Sequence, residues 1–294
     1  MQVGFIGFGE AARVLAGGLN AAGASLLAYC HGTRHAPPYA AEFRREAAAL
    51  GVRLVDTLED LARGAEVLTS AVSPGAAGAV GAETARLLGP RHLFVDVNAV
   101  APATKDVIAA GVAASGARFV DAELMGAASL YGAAVPLYVS GSGAEEFRQA
   151  FAPLGLNVTL VAGAPSAAAT LKMLRSVVTK GMEAVIVEAM FAAFRAGVAR
   201  EAFAAITGPM DAVKFSDFAR MCITSDPIHA GRRAEEMQGV SEVARRLGVE
   251  PIMTDAAQRR LAWSAGLGGR PGEPVPATSD YLEVLTWYDR WDRP

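Results

Sequence analysis

The chain has 294 residues, of which 52% are hydrophobic and 7% aromatic, with a formal net charge of −3 at pH 7. That length supplies one large or two ordinary domains with a sizeable core, and the slightly acidic balance argues against a nucleic-acid or polyanion surface. Two distant cysteines, Cys30 and Cys222, and four scattered histidines (His31, His35, His92 and His229) provide neither a disulfide framework nor metal-ligand spacing.

Residues 2–6 form a short apolar run that enters Gly7-Phe8-Gly9-Glu10-Ala11-Ala12 and then a helical stretch. This reads as strand, tight turn and helix, with a second strand at 25–29. Gly7 permits the turn, Gly9 lets backbone approach a pyrophosphate, and Ala12 allows close packing of helix on strand. The amides of the helix N-terminus then face the phosphates. The second strand ends in Tyr29-Cys30-His31-Gly32-Thr33-Arg34-His35, without the carboxylate that would hold a ribose diol. Cys30, His31, Thr33 and Arg34 are therefore expected at the adenosine end, and a guanidinium there suits a 2′-phosphate. The expected cofactor is NADP rather than NAD, the alternative being that Arg34 and His35 are solvated loop residues.

Alternation continues with a helix at 41–50, a strand at 52–55, a helix at 58–63 capped by Asp56/Thr57, and strands at 66–72 and 92–98. Pro102 opens the following helix, and further strands are expected at 119–124, 135–139 and 157–161. Such alternation predicts a doubly wound parallel sheet of the Rossmann type over residues 1–164. Ligands of such sheets sit at the carboxyl ends of strands. That places three loops beside the cofactor: Val72-Ser73-Pro74, Val97-Asn98-Ala99 and Met125-Gly126-Ala127.

From 165 onward the pattern is helical, giving an all-α domain over 165–294 with helices at 166–197, 200–206, 210–222, 227–247, 251–267 and 280–291, and a loop at 268–279. The first of these is Ala-rich, is expected to be buried on nearly all sides, and carries Lys172, Ser176, Thr179 and Lys180 on one face. The chain contains four lysines among 27 Lys+Arg, and two of them lie on that face. A desolvated lysine, unlike an arginine, exchanges a proton near neutral pH. A helix apolar nearly all round also suggests burial between domains and across a homodimer interface through the helical domain. Its charges break up any membrane span, the chain opens directly on a strand, and a soluble, cytoplasmic protein is expected. Around His229 and Arg233 the charges read mainly as a solvated face, with reach to a substrate as the alternative. Trp287, Tyr288 and Trp291 read as core or dimer packing.

Together, Gly4-Phe-Ile-Gly7-Phe-Gly9-Glu10-Ala-Ala12, Asp121-Ala-Glu123-Leu-Met125-Gly126-Ala127 and Ser166-Ala-Ala168-Ala-Thr-Leu-Lys172 resemble the motifs of the β-hydroxyacid dehydrogenase superfamily. That superfamily includes 6-phosphogluconate and 3-hydroxyisobutyrate dehydrogenases, and the chain is most similar to its branch with a C-terminal DUF1932 domain. The resemblance implies that Lys172 is the general acid/base. It also implies that Asn98, Met125, Gly126, Ala127, Arg175, Ser176 and Lys180 surround the substrate, with Val72, Ser73, Pro74 and Asn98 beside the nicotinamide. Met125 stands where better-known members have serine and Ser176 where they have asparagine, so a 3-hydroxy acid with a bulky or aromatic substituent is expected. Arg175 supplies a carboxylate clamp or an outward salt bridge. An imine reductase shares this architecture but typically has aspartate or tyrosine in place of Lys172. An oxidation-coupled lyase and a non-catalytic NADP-binding sensor remain as alternatives.

Overall fold

The computed structural model describes residues 1–31, 35–126, 131–267 and 275–291. It divides into two units, Met1–Ser176 and Val177–Pro294. The first holds a sheet of β1 (Gln2–Ile6), β2 (Ser25–Tyr29), β3 (Val52–Leu54), β4 (Val67–Ser70), β5 (Leu93–Asp96), β6 (Arg118–Leu124), β7 (Leu137–Ser140) and β8 (Val158–Leu160). Its order is β3-β2-β1-β4-β5-β6-β7-β8. The helices of this unit are α1 (Glu10–Ala21), α2 (Ala41–Ala49), α3 (Leu58–Gly64), α4 (Pro74–Ala85), α5 (Pro102–Ala114) and α6 (Ala144–Phe151).

Central strands are apolar on both faces because each face meets helices. Val95 joins Val3, Phe5, Leu15 and Phe147 in one buried cluster, whereas its neighbour Phe94 joins Leu61, Leu68, Ile108 and Phe119 in the other. The sheet is the Rossmann-type sheet expected from the alternation, with one correction: β7 runs antiparallel to β6. A parallel return needs a crossover of a dozen residues or more, usually carrying a helix. Twelve residues separate Leu124 from Leu137, the bare minimum for such a crossover, and a 3-10 turn at Gly132–Ala134 lies among them.

α7 (Ala167–Arg195) starts in the first unit and ends in the second, which continues with α8 (Ala199–Asp211), α9 (Phe215–Arg246), α10 (Ile252–Leu267) and α11 (Tyr281–Trp291). Two expected helix breaks are absent. α8 runs through Pro209 to its last turn, and α9 runs straight through Pro227. An interior proline deletes one backbone bond and costs about 3 kcal/mol. Pro227 lies buried in one strip with Ala230, Ala234, Ser241 and Ala244, along the helix that packs on α10. Small side chains there let the two helices approach, and their mutual burial outweighs the lost bond.

The start of α10 is closed by a side chain from α7. Glu188 accepts hydrogen bonds from Met253 N (2.7 Å), Thr254 N (2.9 Å) and Thr254 Oγ1 (2.6 Å). Burial alone would raise this carboxyl, but those donors together hold it below the usual range. Two of the four amides that a helix N-terminus leaves unpaired are thereby satisfied. At the other end of the unit, Trp287 and Tyr288 are buried in a small core with Trp291 packed against it. The Tyr288 hydroxyl and Ser264 both donate to Asp226, tying α11 and α10 to α9.

The expectation that α7 is buried on nearly all sides does not hold within one chain. Among its described residues Ala168 and Ala169 are buried, whereas Val177 and Phe194 are 70% and 71% exposed. Among the described residues no helix is long and apolar enough to cross a membrane.

Candidate active site

The glycine turn after β1 is fixed by backbone geometry. Gly7 has a φ of +86°, and a Cβ there would lie 2.4 Å from the carbonyl oxygen of Ala71. Only glycine fits such a left-handed, crowded position. Gly9 is different: space around its missing Cβ is open. It is also the N-cap of α1, where no side chain caps the first amides. Those amides are thus available to an anion, as a pyrophosphate cradle requires. Ala12 is fully buried against the sheet, which is the close-packing role expected of it.

A cleft of about 790 Å³ opens in front of this turn, lined by Gly7, Phe8, Gly9, Glu10, Cys30 and His31 among others. His35, Arg13, Tyr29 and Glu83 also line it, and the sequence did not single out the last three. Tyr39 pins the end of β2, its hydroxyl donating to Val55 O (2.8 Å) and accepting from Cys30 N (3.1 Å). Burial pushes the Cys30 thiol up to about 11, so it stays protonated at neutral pH and serves as wall rather than nucleophile. Burial raises the Tyr29 hydroxyl as well, followed in size by the charges of Glu83 and Glu59. Thr33 and Arg34 lie outside the described residues.

Beside the turn, Ala11, Val72, Ser73, Pro74 and Asn98 line a smaller recess together with Gly9 and Glu10. Asn98 is buried, and its amide is engaged with the neighbouring loop. Its Oδ1 accepts from Val72 N (2.7 Å), its Nδ2 donates to Ser70 Oγ (2.9 Å), and its backbone N donates to Asp96 Oδ1 (2.8 Å). These bonds cross-link the ends of β4 and β5, so Asn98 shapes the wall on which a ligand would rest.

Behind this wall lies a buried charge cluster that the sequence did not reveal. Lys105, on α5, has a completely buried ammonium. It donates to Asp96 O (2.9 Å) and Asp96 Oδ1 (3.1 Å), and lies 2.9 Å from Asp121 Oδ1 and 3.3 Å from Glu123 Oε1. Burial alone would lower the Lys105 amine; Asp96, Asp121 and Glu123 together overturn that and raise it. Asp96 and Asp121 are register partners on β5 and β6. Asp121 and Glu123 alternate along β6 and so share one face.

The same carboxylates anchor α7. Asp121 Oδ2 accepts from Ala169 N (2.7 Å), and Ser140 Oγ accepts from Ala168 N (3.0 Å) while donating to Pro165 O (2.8 Å). An acid at a helix N-terminus also meets the favourable end of its dipole. Ala168 and Ala169 are fully buried where the helix meets the sheet, which is why small residues stand there. One turn on, Lys172 Nζ donates to Glu123 Oε2 at 2.7 Å, with 23% of its side chain exposed. The amine is therefore not isolated among apolar groups, as the helix pattern suggested. It is paired with a carboxylate whose own titration burial raises more than Lys105 and Lys172 lower it.

The remaining expected residues scatter. Met125 is buried, its amide bonded to Pro136 O. A Cβ on Gly126 would meet the Tyr131 ring at 2.9 Å. Ala127 lies outside the described residues. Ser176 donates to Lys172 O (3.0 Å) within the same helix, and Arg175 is exposed. Lys180 is exposed and belongs to the second unit, as do His229, also exposed, and Arg233, which donates to Ser225.

An N-terminal, mostly parallel sheet with a glycine turn opening onto a cleft, followed by an all-helical segment, defines the class: an oxidoreductase fold that uses a nicotinamide dinucleotide. Residues 2–100 match the family model described as NADP oxidoreductase coenzyme F420-dependent, and residues 193–264 match the domain of unknown function DUF1932. Among solved structures, a conserved hypothetical protein from Sinorhizobium meliloti 1021 is 32% identical, covering 98% of this chain and 96% of that one at a TM-score of 0.62. The conserved protein MTH1747, described as structurally similar to 3-hydroxyacid dehydrogenases, is 30% identical over 90% of this chain and 97% of that one, also at 0.62. An imine reductase from Myxococcus stipitatus in complex with NADP+ shares the fold at 16% identity, with a TM-score of 0.74 over 97% and 100% of the two chains. The chain belongs to the β-hydroxyacid dehydrogenase-like superfamily, in the branch that carries DUF1932, and is homologous to NAD(P)-dependent oxidoreductases.

Proposed function

We propose that this protein transfers a hydride between NADP, in preference to NAD, and the hydroxyl-bearing carbon of a 3-hydroxy acid, with Lys172 as general acid/base. The observation that carries this reading is the Lys172 amine. It is partly exposed on an otherwise buried charge cluster and is linked through Glu123, Lys105, Asp96 and Asn98 to the recess beside the glycine turn. Bound in the cleft, the nicotinamide supplies the hydride chemistry. As a neutral amine, Lys172 takes the hydroxyl proton in oxidation; as an ammonium it returns a proton in reduction. Met125, Gly126, Ala127, Arg175 and Ser176 are the proposed substrate contacts. The buried thioether of Met125 favours a bulky or aromatic substituent.

A panel of 3-hydroxy acids that includes β-aryl and β-hydroxy-amino acids, scored by NADP reduction, tests the substrate class. At least one member is expected to turn over. No turnover, with cofactor binding demonstrated, overturns the reading in favour of an oxidation-coupled lyase or a sensor.

The NADP preference is supported by the absence of a carboxylate at the described end of β2 and by His31 and His35 on the cleft wall. Glu83, also on that wall, is the group that would select a ribose diol instead. Calorimetric titration is expected to show tighter binding of NADPH than of NADH. Equal or reversed affinities would transfer the selecting role to Glu83.

We also propose a homodimer formed through the helical segment. Val187, Phe194 and Phe203 are 63%, 71% and 57% exposed in the single chain, with Val177, Val185 and Met210 also exposed. Single exposed apolar residues need no explanation, but a run of large ones on consecutive helices marks an interaction surface. Sedimentation equilibrium is expected to give twice the chain mass of 30.4 kDa; a monomer at micromolar concentration would exclude this arrangement.

A further inference from the structure

We propose that Glu123 is the positioning residue of the Lys172 amine, storing the proton that Lys172 exchanges, while Lys105 holds the Glu123 carboxylate from behind. This rests on the reading of Lys172 as the acid/base. Three carboxylates, Asp96, Asp121 and Glu123, face two amines, Lys105 and Lys172, so full ionisation leaves one surplus negative charge. Charge removed from water is costly unless paired. Glu123 is the member that touches both amines. Its Oε1 faces Lys105 at 3.3 Å, where both side chains are sealed, and its Oε2 accepts from Lys172 at 2.7 Å, where the amine is 23% exposed. Burial raises the Glu123 carboxyl even in the presence of both lysines.

Moving the ammonium proton of Lys172 across that 2.7 Å contact leaves a neutral amine and a neutral carboxylic acid. The total charge of the cluster does not change, so the base form arises without a proton leaving the buried site. In oxidation the substrate O–H bond then breaks as an N–H bond forms on Lys172. The electron pair of the C–H bond departs as hydride to the oxidised dinucleotide, and the carbonyl forms. The added proton leaves from the exposed side of Lys172. Glu123 never meets the substrate. It sets how many protons the pair carries, and activity needs exactly one shared between them. The groups facing it are Lys105 from α5, Asp121 from β6 and Lys172 from α7, and Asp96 from β5 shares Lys105 with it.

The test uses the full chain with Glu123→Gln and Glu123→Asp, folding being checked by circular dichroism. Infrared spectroscopy of the free protein is expected to show a protonated carboxyl band in the wild type that is absent in E123Q and displaced in E123D. With the 3-hydroxy acid that best reduces NADP, E123Q is expected to lose ~100-fold in kcat at a KM within about twofold. The acid limb of its kcat–pH profile should move, and E123D should recover part of both effects. A carboxyl band that persists in E123Q, or an acid limb left in place, overturns the storage role. If E123Q fails to fold or no acid in the panel turns over, the wild-type band and its displacement in E123D decide the matter, and a wild type without the band rejects the proposal. Turnover retained in Lys172→Met would instead sink the underlying acid/base reading. Loss in that variant with an unmoved limb in E123Q sinks the storage role alone.

Discussion

Lys105→Met is expected to destabilise the first unit by ~3–5 kcal/mol, the cost of leaving buried charge without its partner. Methionine fills much of the same volume, so the loss is electrostatic rather than a cavity effect. Three carboxylates that now converge on one ammonium would face one another, and Asp121 could no longer hold α7 without a counter-charge. Urea denaturation followed over the sheet unit measures the loss. Its pH dependence identifies the cause. In the wild type the Lys105 amine is raised in the folded state, so its stabilisation is fully present below the ordinary lysine value and lost as pH rises through the raised one. The Glu123 carboxyl is raised as well, so its contribution is complete below the ordinary glutamate value and declines as pH rises through the folded one. Without Lys105 a single ammonium, that of Lys172, is left against three carboxylates, which relieve their repulsion by taking up protons. The gap between variant and wild type is therefore expected to be widest at neutral pH and to narrow towards acid. A gap independent of pH would show that packing, not charge, is what Lys105 contributes.

Lys172→Met is expected to lower kcat by ~10²–10⁴-fold while NADPH binding is retained, because the residues lining the cleft come from the glycine turn, the end of β2 and α1, α3 and α4 with the loop before it, rather than from α7. Lys172→Arg separates chemistry from structure. A guanidinium can keep an ion pair with Glu123, but it cannot give up its proton, so this variant should be stable and equally inactive. Single-turnover absorbance of the nicotinamide, at saturating cofactor, reads the step directly. Turnover near the wild-type rate in either variant, with the fold intact, would remove Lys172 from the reaction.

Most of the first unit was legible because its signals are local. A glycine turn between an apolar strand and a helix needs only a dozen residues to declare itself, and Gly7 meets its steric demand in the structure. The antiparallel β7 was hidden because strand direction depends on the length and path of the connection, whereas apolar alternation is the same both ways. Pro227 misled for a related reason: the break it favours is local, but the buried strip that overrides it depends on α10, distant in sequence. The charge cluster was missed although every member was in view. Asp121 and Glu123 at alternate positions of a strand otherwise reading Phe-Val-Ala-Leu, one scarce lysine upstream and another downstream, are a signal of a buried ionic core. What composition alone could not supply was the pairing of β5 with β6 that places Asp96 opposite Asp121.

The helix that carries Lys172 has one more consequence, for taking the protein apart. The boundary between the two units, after Ser176, falls ten residues into a 29-residue helix rather than in a loop. Each turn there is bonded to the next across the boundary, so cleavage at that point would strand up to four amides on one side and four carbonyls on the other. Neither half would inherit a natural terminus. A protease seeking an exposed, extended strand of backbone finds none at this position, and a gene split there would encode two frayed pieces. The division of labour between sheet and helices is written into the fold, but the boundary after Ser176 is no seam along which to cut it.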